Sequence, residues 1–271
     1  MKFWNRAPRV PLVRLNGMIS ASSIGLRRGL SLESAAPLLQ QAFEMPRAKA
    51  VALAINSPGG SPVQSALIAA RIRALAAENS LPVLAFVEDV AASGGYWLAS
   101  AADEIFADEA SVVGSIGVIS AGFGFTEAIA KLGVERRVYT AGENKSILDP
   151  FKPEDPDDIA RLDAILTDLH RVFRAQIESR RGKKLAGDDP EIFSGAFWTG
   201  QGALERGLID GIGHFRPILR QRFGDKVKIV PIRTKPPLLR RLGFGGFSSE
   251  ELVETLTVHL DERLARQRFG G

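Results

Sequence analysis

The sequence predicts an α/β protein built on a mostly parallel sheet, and three observations carry that expectation. From residue 49 onward, short apolar runs alternate with helix-like amphipathic segments. The junctions between them are rich in Gly, Pro and Ser, as strand-to-helix turns are. The chain has 271 residues, 45% of them hydrophobic, enough for one large domain or one domain with an appendage and too many for a disordered chain.

Element by element, Lys49 to Asn56 (KAVALAIN) reads as a buried strand, ended by Ser57-Pro58-Gly59-Gly60. Ser61 to Ala77 reads as a helix, with Ala66, Ile68, Ala69, Ile72, Leu75 and Ala76 on its apolar side. Pro82 to Glu88 (PVLAFVE) is the next strand, and the small, apolar stretch Ser93 to Ala101 a buried helix. Further strands are expected at Glu104–Ala107 and Val134–Thr140. This βαβ succession favours a parallel sheet covered on both faces. Pro156 to Arg180 is a long amphipathic helix, its start marked by Pro153 and Pro156, with Asp157 and Asp158 suited to the positive end of the helix dipole. A Gly-rich stretch from Phe193 to Gly213 holds a short helix near Gly200–Arg206, and Val227 to Ile232 reads as a strand. Residues 1–232 then form the main domain, the Pro-, Gly- and Arg-rich residues 233–248 a linker, and residues 249–271 a C-terminal amphipathic helix with Leu252, Leu256, Leu260 and Leu264 four residues apart.

The absence of cysteine excludes disulfides, a thiol nucleophile and thiolate zinc sites. The net charge of +4 is segregated. Residues 1–15 carry four basic residues and no acid; residues 16–215 carry 19 basic and 25 acidic residues; residues 216–241 carry nine basic residues against Asp225 alone. An acidic core with basic flanks argues against nucleic acid as a partner. No run approaches ~20 apolar residues, and the start lacks the apolar stretch of a signal peptide, so a cytoplasmic protein is expected.

Two turns and one lysine could carry chemistry. In Asn56-Ser57-Pro58-Gly59-Gly60 a strand stops at Gly-Gly, where backbone N–H groups can converge on an anion; a tight turn needing positive φ is the plainer reading. In Ala91-Ala92-Ser93-Gly94-Gly95-Tyr96-Trp97 the serine lies between strand and helix, as an ordinary N-cap or as a nucleophile. The Gly-x-Ser-x-Gly elbow motif is absent, because position 91 is Ala. Among three histidines, His170 and His259 fall in amphipathic patterns and His214 in a Gly-flanked turn, all better read as structural. Lysine is the other established base for a serine, and the candidates are Lys131, late in a helix, and Lys145, in the turn Gly142-Glu143-Asn144-Lys145.

The motifs N-S-P-G-G, A-S-G-G-Y-W, Gly114-Ser115-Ile116-Gly117-Val118, G-E-N-K-S-x-x-x-P-F and, later, F-S-G-A-F-W-T-G-Q-G-A-L-E-R-G-L-I-D-G occur in collinear order over roughly residues 10–220. Together they resemble the S49 peptidases, the family of signal peptide peptidase A and SohB. The resemblance implies a fold like the Clp protease subunit and the crotonases, a superhelix of repeated βαβ (ββα) units. It also implies Ser93 as nucleophile, Lys145 as general base, Ser115 as the hydroxyl orienting the lysine, and Gly60 and Gly94 as oxyanion-hole donors. The chain is similar to the short members, with one copy of the domain and no membrane anchor.

The function so implied is a serine endopeptidase with a Ser-Lys dyad, acting on apolar peptide segments such as signal-peptide remnants or misfolded proteins. It needs no cofactor, neither metal nor nucleotide, and it works as a homo-oligomer. Neutral Lys145 is required, and burial against apolar neighbours is the expected source of that neutrality. Three rivals stand beside it. A Clp-type Ser-His-Asp protease needs a histidine that the region Ser115 to Ser120 lacks. A crotonase-like acyl-CoA enzyme would use the oxyanion turns without a nucleophile. A membrane-surface adaptor, or a peripheral contact at the inner membrane, would use residues 216–247, where basic residues mix with Phe223, Leu238, Leu239, Leu242, Phe244 and Phe247.

Overall fold

The computed structural model of the chain describes residues 7–21, 23–24, 27–187 and 189–233. The expected C-terminal helix, His259 and, apart from Arg233, the expected linker lie outside the described residues. The described chain is α/β, with ten strands and seven α-helices. In order these are β1 (Arg9–Asn16), the two-residue ribbon β2 (Ser23–Ile24) and β3 (Arg27–Arg28), α1 (Leu32–Phe43), β4 (Val51–Ser57), α2 (Pro62–Asn79), β5 (Val83–Ala92) and α3 (Gly94–Ser100). Then follow β6 (Glu104–Ala107), β7 (Val112–Gly114), α4 (Thr126–Lys131), α5 (Pro156–Arg181), β8 (Phe197–Thr199), α6 (Gly200–Glu205), β9 (Gly211–Ile212), α7 (Phe215–Phe223) and β10 (Lys228–Pro231). The chain divides into two compact units, one from the described residues of Met1–Ile116 and Arg174–Gly271, the other Gly117–Phe173.

The first unit holds the sheet, in the order β10-β1-β4-β5-β6-β9, every neighbouring pair parallel. Alternation along β4 explains its burial on both faces. Ala50, Ala52 and Ala54 join Val10, Leu12, Leu84, Phe86 and Leu219 in one apolar cluster, which covers the α7 side. Val51, Leu53 and Ile55 point the other way, and all are fully buried. Helix starts follow from local chemistry. Ser31 and Ser34 form a reciprocal cap on α1, and Ser61 caps α2 with Pro62 in its first turn.

β5 is the strand that positions the site. Its first half pairs with β6, from Leu84 opposite Glu104 to Val87 opposite Ala107. Its second half leaves β6 and pairs with β7, from Val90 opposite Val112 to Ala92 opposite Gly114. The register against β4 shifts at the same place, between Ile55 and Ser57. The kink at Glu88–Asp89 therefore redirects the strand end, which runs straight into Ser93 and α3.

α3 is anchored by an ionic and hydrogen-bonded network that uses the last part of the long glycine-rich motif. The buried Tyr96 hydroxyl donates to the Leu208 carbonyl at 2.7 Å. Burial, offset in part by Arg181, pushes the Tyr96 phenol well above its usual range. Arg181, only 1% exposed, donates to Asp210 at 2.6 Å and to the Gly207 carbonyl. Burial works against the Asp210 carboxylate, yet hydrogen bonds from Lys184, Arg181 and the Ile105 N–H outweigh it and hold its carboxyl below the usual carboxylate range. The stability so gained is present above the unfolded carboxyl pKa and is lost as pH falls through the lower folded value. Asp210→Asn is expected to cost about 3 kcal/mol by leaving the buried Arg181 charge without its carboxylate. It should also flatten the acid limb of stability against pH, both read by urea unfolding.

One expected element is absent. Residues Val134–Thr140 form no strand; Val134 and Tyr139 stand 54% and 90% exposed, and no strand occurs among the described residues of the second unit to pair with them. β-Branched composition alone does not make a strand without a hydrogen-bonding neighbour. Conversely β1, α1 and α7 are elements beyond the sequence reading.

Candidate active site

Ser93 sits where β5 ends and α3 begins, at the N-cap position of α3. Its backbone has φ 50° and ψ −121°, a conformation that L residues rarely adopt, and its side chain makes no capping hydrogen bond. The hydroxyl is therefore not spent on the helix, as an ordinary N-cap serine would spend it. The geometry is that of a strand-turn-helix elbow, although the elbow's sequence motif is missing. The turn is fixed on both sides, since Ser93 N–H donates to the Gly114 carbonyl at 2.8 Å and Trp97 N–H to the Ser93 carbonyl at 3.0 Å.

The Asn56–Gly60 turn packs directly against this elbow. Gly59 has φ 107° and Gly60 φ 140°. A Cβ at Gly59 would lie 2.8 Å from the Ser93 Cβ and 2.9 Å from the Gly94 nitrogen. One at Gly60 would strike the Ile19 carbonyl oxygen, and one at Gly94 the Ser65 hydroxyl, with the Gly60 nitrogen 3.4 Å away. Only glycine fits these three places, and the fit packs the Gly59–Gly60 turn against Ser93 and Gly94. Gly94 is the first residue of α3, where an N–H has no acceptor within its own helix. Ser57, fully buried, accepts the Gly59 N–H on its hydroxyl at 3.2 Å and so braces the turn. Its part was not read from the sequence, where a serine before Pro-Gly-Gly looks like any turn residue.

Ser115 follows Gly114, the residue whose carbonyl holds the Ser93 N–H. It too has positive φ, 53°, and its N–H donates to the Ala196 carbonyl at 2.7 Å. Ser93, Ser115, Gly60 and Gly94 thus all belong to the first unit. Lys145 belongs to the second. It lies in a turn, its N–H donating to the Gly142 carbonyl at 3.3 Å, and its side chain is exposed. The burial expected for it from the sequence is not supplied by its own unit. Its loop is nevertheless ordered by Asp149, which accepts the Phe151 N–H at 3.0 Å, Arg136 Nε at 2.9 Å and the Ser146 hydroxyl at 3.4 Å. The Phe151 N–H, with Arg136, holds the Asp149 carboxyl below its ordinary value. Lys131 ends α4 beside Glu127 at 80% side-chain exposure, a surface pair. His214 pairs with Asp108 at 3.1 Å. Among the described residues no group of His, Asp or Glu could hold a metal ion.

With this geometry established, comparison places the chain among known proteins. The sequence profile of peptidase family S49 matches residues 76–224, more than half of the chain. The chain is 52% identical over 257 residues to a protein of Brucella abortus named Na(+)/H(+) antiporter NhaA, covering 94% of this chain and 35% of that protein. It is 32% identical to the chloroplastic serine protease SPPA of Arabidopsis thaliana, over 76% of this chain and 30% of that one. It is likewise 32% identical to protease 4 of Haemophilus influenzae, over 68% and 29%. The chain thus spans about a third of the length of these curated relatives. A mutant form of a membrane-bound stomatin-specific protease aligns with a TM-score of 0.49 at 18% identity, over 85% of this chain and 99% of that one. By the family profile, over residues that include both Ser93 and Lys145, the chain belongs to peptidase family S49.

Proposed function

We propose that the chain is a serine endopeptidase in which residues 1–232 form the catalytic domain and Ser93 and Lys145 form the dyad. The observation that carries the reading is Ser93 itself, at a positive-φ elbow with a hydroxyl free of capping duty, packed against a turn that admits only glycine. Ser93 Oγ attacks the peptide carbonyl carbon while neutral Lys145 takes the hydroxyl proton. The tetrahedral oxyanion is met by the N–H groups of Gly60 and Gly94, each such donor contributing about 3–4 kcal/mol. Collapse breaks the C–N bond, and the leaving amine receives the proton from Lys145. Water then hydrolyses the acyl-serine with the lysine again as base. Ser115 orients the amine. No step calls for a metal or a nucleotide.

The chain is proposed to work as a homo-oligomer. Ten of the thirteen large apolar side chains that stand exposed among the described residues lie within Gly117–Phe173, which also carries the exposed Lys145. A second copy covering this surface would remove water from the lysine.

The 52% match to antiporter-named proteins supports a second element of the reading, a place beside a sodium/proton antiporter at the inner face of the membrane. Among the described residues no helix is long and apolar enough to cross a membrane. The basic residues of α7 and its surroundings, including Arg216, Arg220 and Lys226, are the proposed contact with anionic lipid. The apolar residues 238–247 named for the same contact lie outside the described residues.

Mass spectrometry of an unbiased peptide library tests the activity and reveals the substrate class. New peptide termini are expected with the wild-type chain and none with Ser93→Ala. Identical product sets from both would remove the proposal.

A further inference from the structure

The kink in β5 opens a cleft of about 680 Å³ that the dyad does not use. Its lining includes the apolar Phe86, Phe215, Val87 and Val90, with the Phe86 and Phe215 rings edge to face at 6.3 Å. The same lining carries three carboxylates. Asp89 accepts from the Asn56 amide at 2.5 Å, Glu88 pairs with Arg14 at 2.6 Å, and Asp108 pairs with His214 at 3.1 Å. Arg14 and His214 together balance at most two of the three charges, and the partner of Asp89 is a neutral amide, so acid is in surplus whichever state the imidazole takes.

A cleft lined by both apolar side chains and surplus carboxylates suits one kind of side chain. Lysine and arginine bury an alkyl stem and keep a cationic head among polar groups. The placement says whose side chain it is. Within three residues, three segments of the lining run into the candidate site: Pro58 leads to Gly60, Val90 to Ser93, and Val112 to Ser115. An extended polypeptide advances ~3.3–3.6 Å per residue, so one strand can lie along the cradle and reach this cleft.

We propose that the cleft is a second peptide-binding subsite, which takes a lysine or arginine flanked by apolar residues from the polypeptide held at Ser93. The cleft selects cationic-apolar segments by charge and by the length of the alkyl stem. Its role as a substrate subsite rests on the peptidase reading above, but its binding does not, and the two can be tested apart.

The probe is a set of fluorescein-labelled twelve-residue peptides, apolar except for one central residue that is Lys, norleucine or Glu. Binding is measured by anisotropy on the full Ser93→Ala chain, with no turnover required. The Lys peptide is expected to bind about tenfold tighter than the Glu peptide, with the advantage shrinking as salt screens it. The double variant Asp89→Asn, Asp108→Asn should abolish the preference, and Asp89→Lys should reverse it toward the Glu peptide, each with an unchanged circular dichroism spectrum. Equal binding of all three peptides, or a lysine preference that survives both variants, overturns the proposal. Loss of peptide hydrolysis in the library experiment with the lysine preference intact would instead overturn the peptidase reading alone.

Discussion

Ser93→Ala is expected to lower kcat/KM for peptide hydrolysis by at least about 10³-fold, as removal of a serine nucleophile does elsewhere. The effect should fall on kcat, because Ser93 forms its bond only as the transition state is approached. The fold should be unaffected. Ser93 lends no side-chain bond to α3, and alanine is no more at ease than serine at φ 50°. A second substitution separates chemistry from structure. Glycine adopts positive φ without strain, so Ser93→Gly should be equally inactive yet more stable, by about 1 kcal/mol. An inactive variant that melts at higher temperature would show that the strain at this turn is maintained for the position of the hydroxyl. Loss of activity together with loss of structure would contradict that account.

Lys145→Ala is expected to cost at least about 10²-fold in kcat, the range of a general base. Lys145→Arg should not restore it, because guanidinium cannot give up its proton in a protein. A general base acts only in its neutral form, so the contribution of Lys145 should grow as pH rises, and that rising limb of rate against pH should be absent in Lys145→Ala. If a second copy covers Lys145, as proposed, turnover per chain should fall on dilution below the assembly threshold. A rate per chain that is independent of concentration would contradict the oligomer part of the proposal.

The parts of the fold that were legible in the sequence are those where local pattern and tertiary role agree. β4 up to Ile55 and β5 up to Val87 announce themselves as unbroken apolar runs because both faces of the sheet are covered, and α5 as a long amphipathic repeat opened by Pro156. β1 was not read, because Arg14, paired with Glu88 at the strand's open end, interrupts its apolar pattern. β7 and β8 have three residues each, too few to show a period. Residues Val134–Thr140 failed in the opposite direction, with strand-like composition and no partner strand in their unit.

The site was legible differently. The glycines at 59, 60 and 94 stand out in sequence, but the reason for them lies in contacts with Ile19 and Ser65, which are 41 and 29 residues away from Gly60 and Gly94. The positive φ of Ser93 could not be read, since Ala91 occupies the place where an elbow motif would show glycine. Ser93 follows the half of β5 that has changed partner from β6 to β7, a property of the sheet rather than of any short stretch.

The most direct test of the central claim is labelling with a fluorophosphonate followed by peptide mass mapping. A serine activated for attack forms a phosphonyl ester, whereas a crotonase-like site with only an oxyanion cradle does not. A single adduct on the peptide containing Ser93, formed more slowly in Lys145→Ala and absent in Ser93→Ala, is the predicted result. An unlabelled wild-type chain that hydrolyses peptides, or an adduct on another serine, would contradict it.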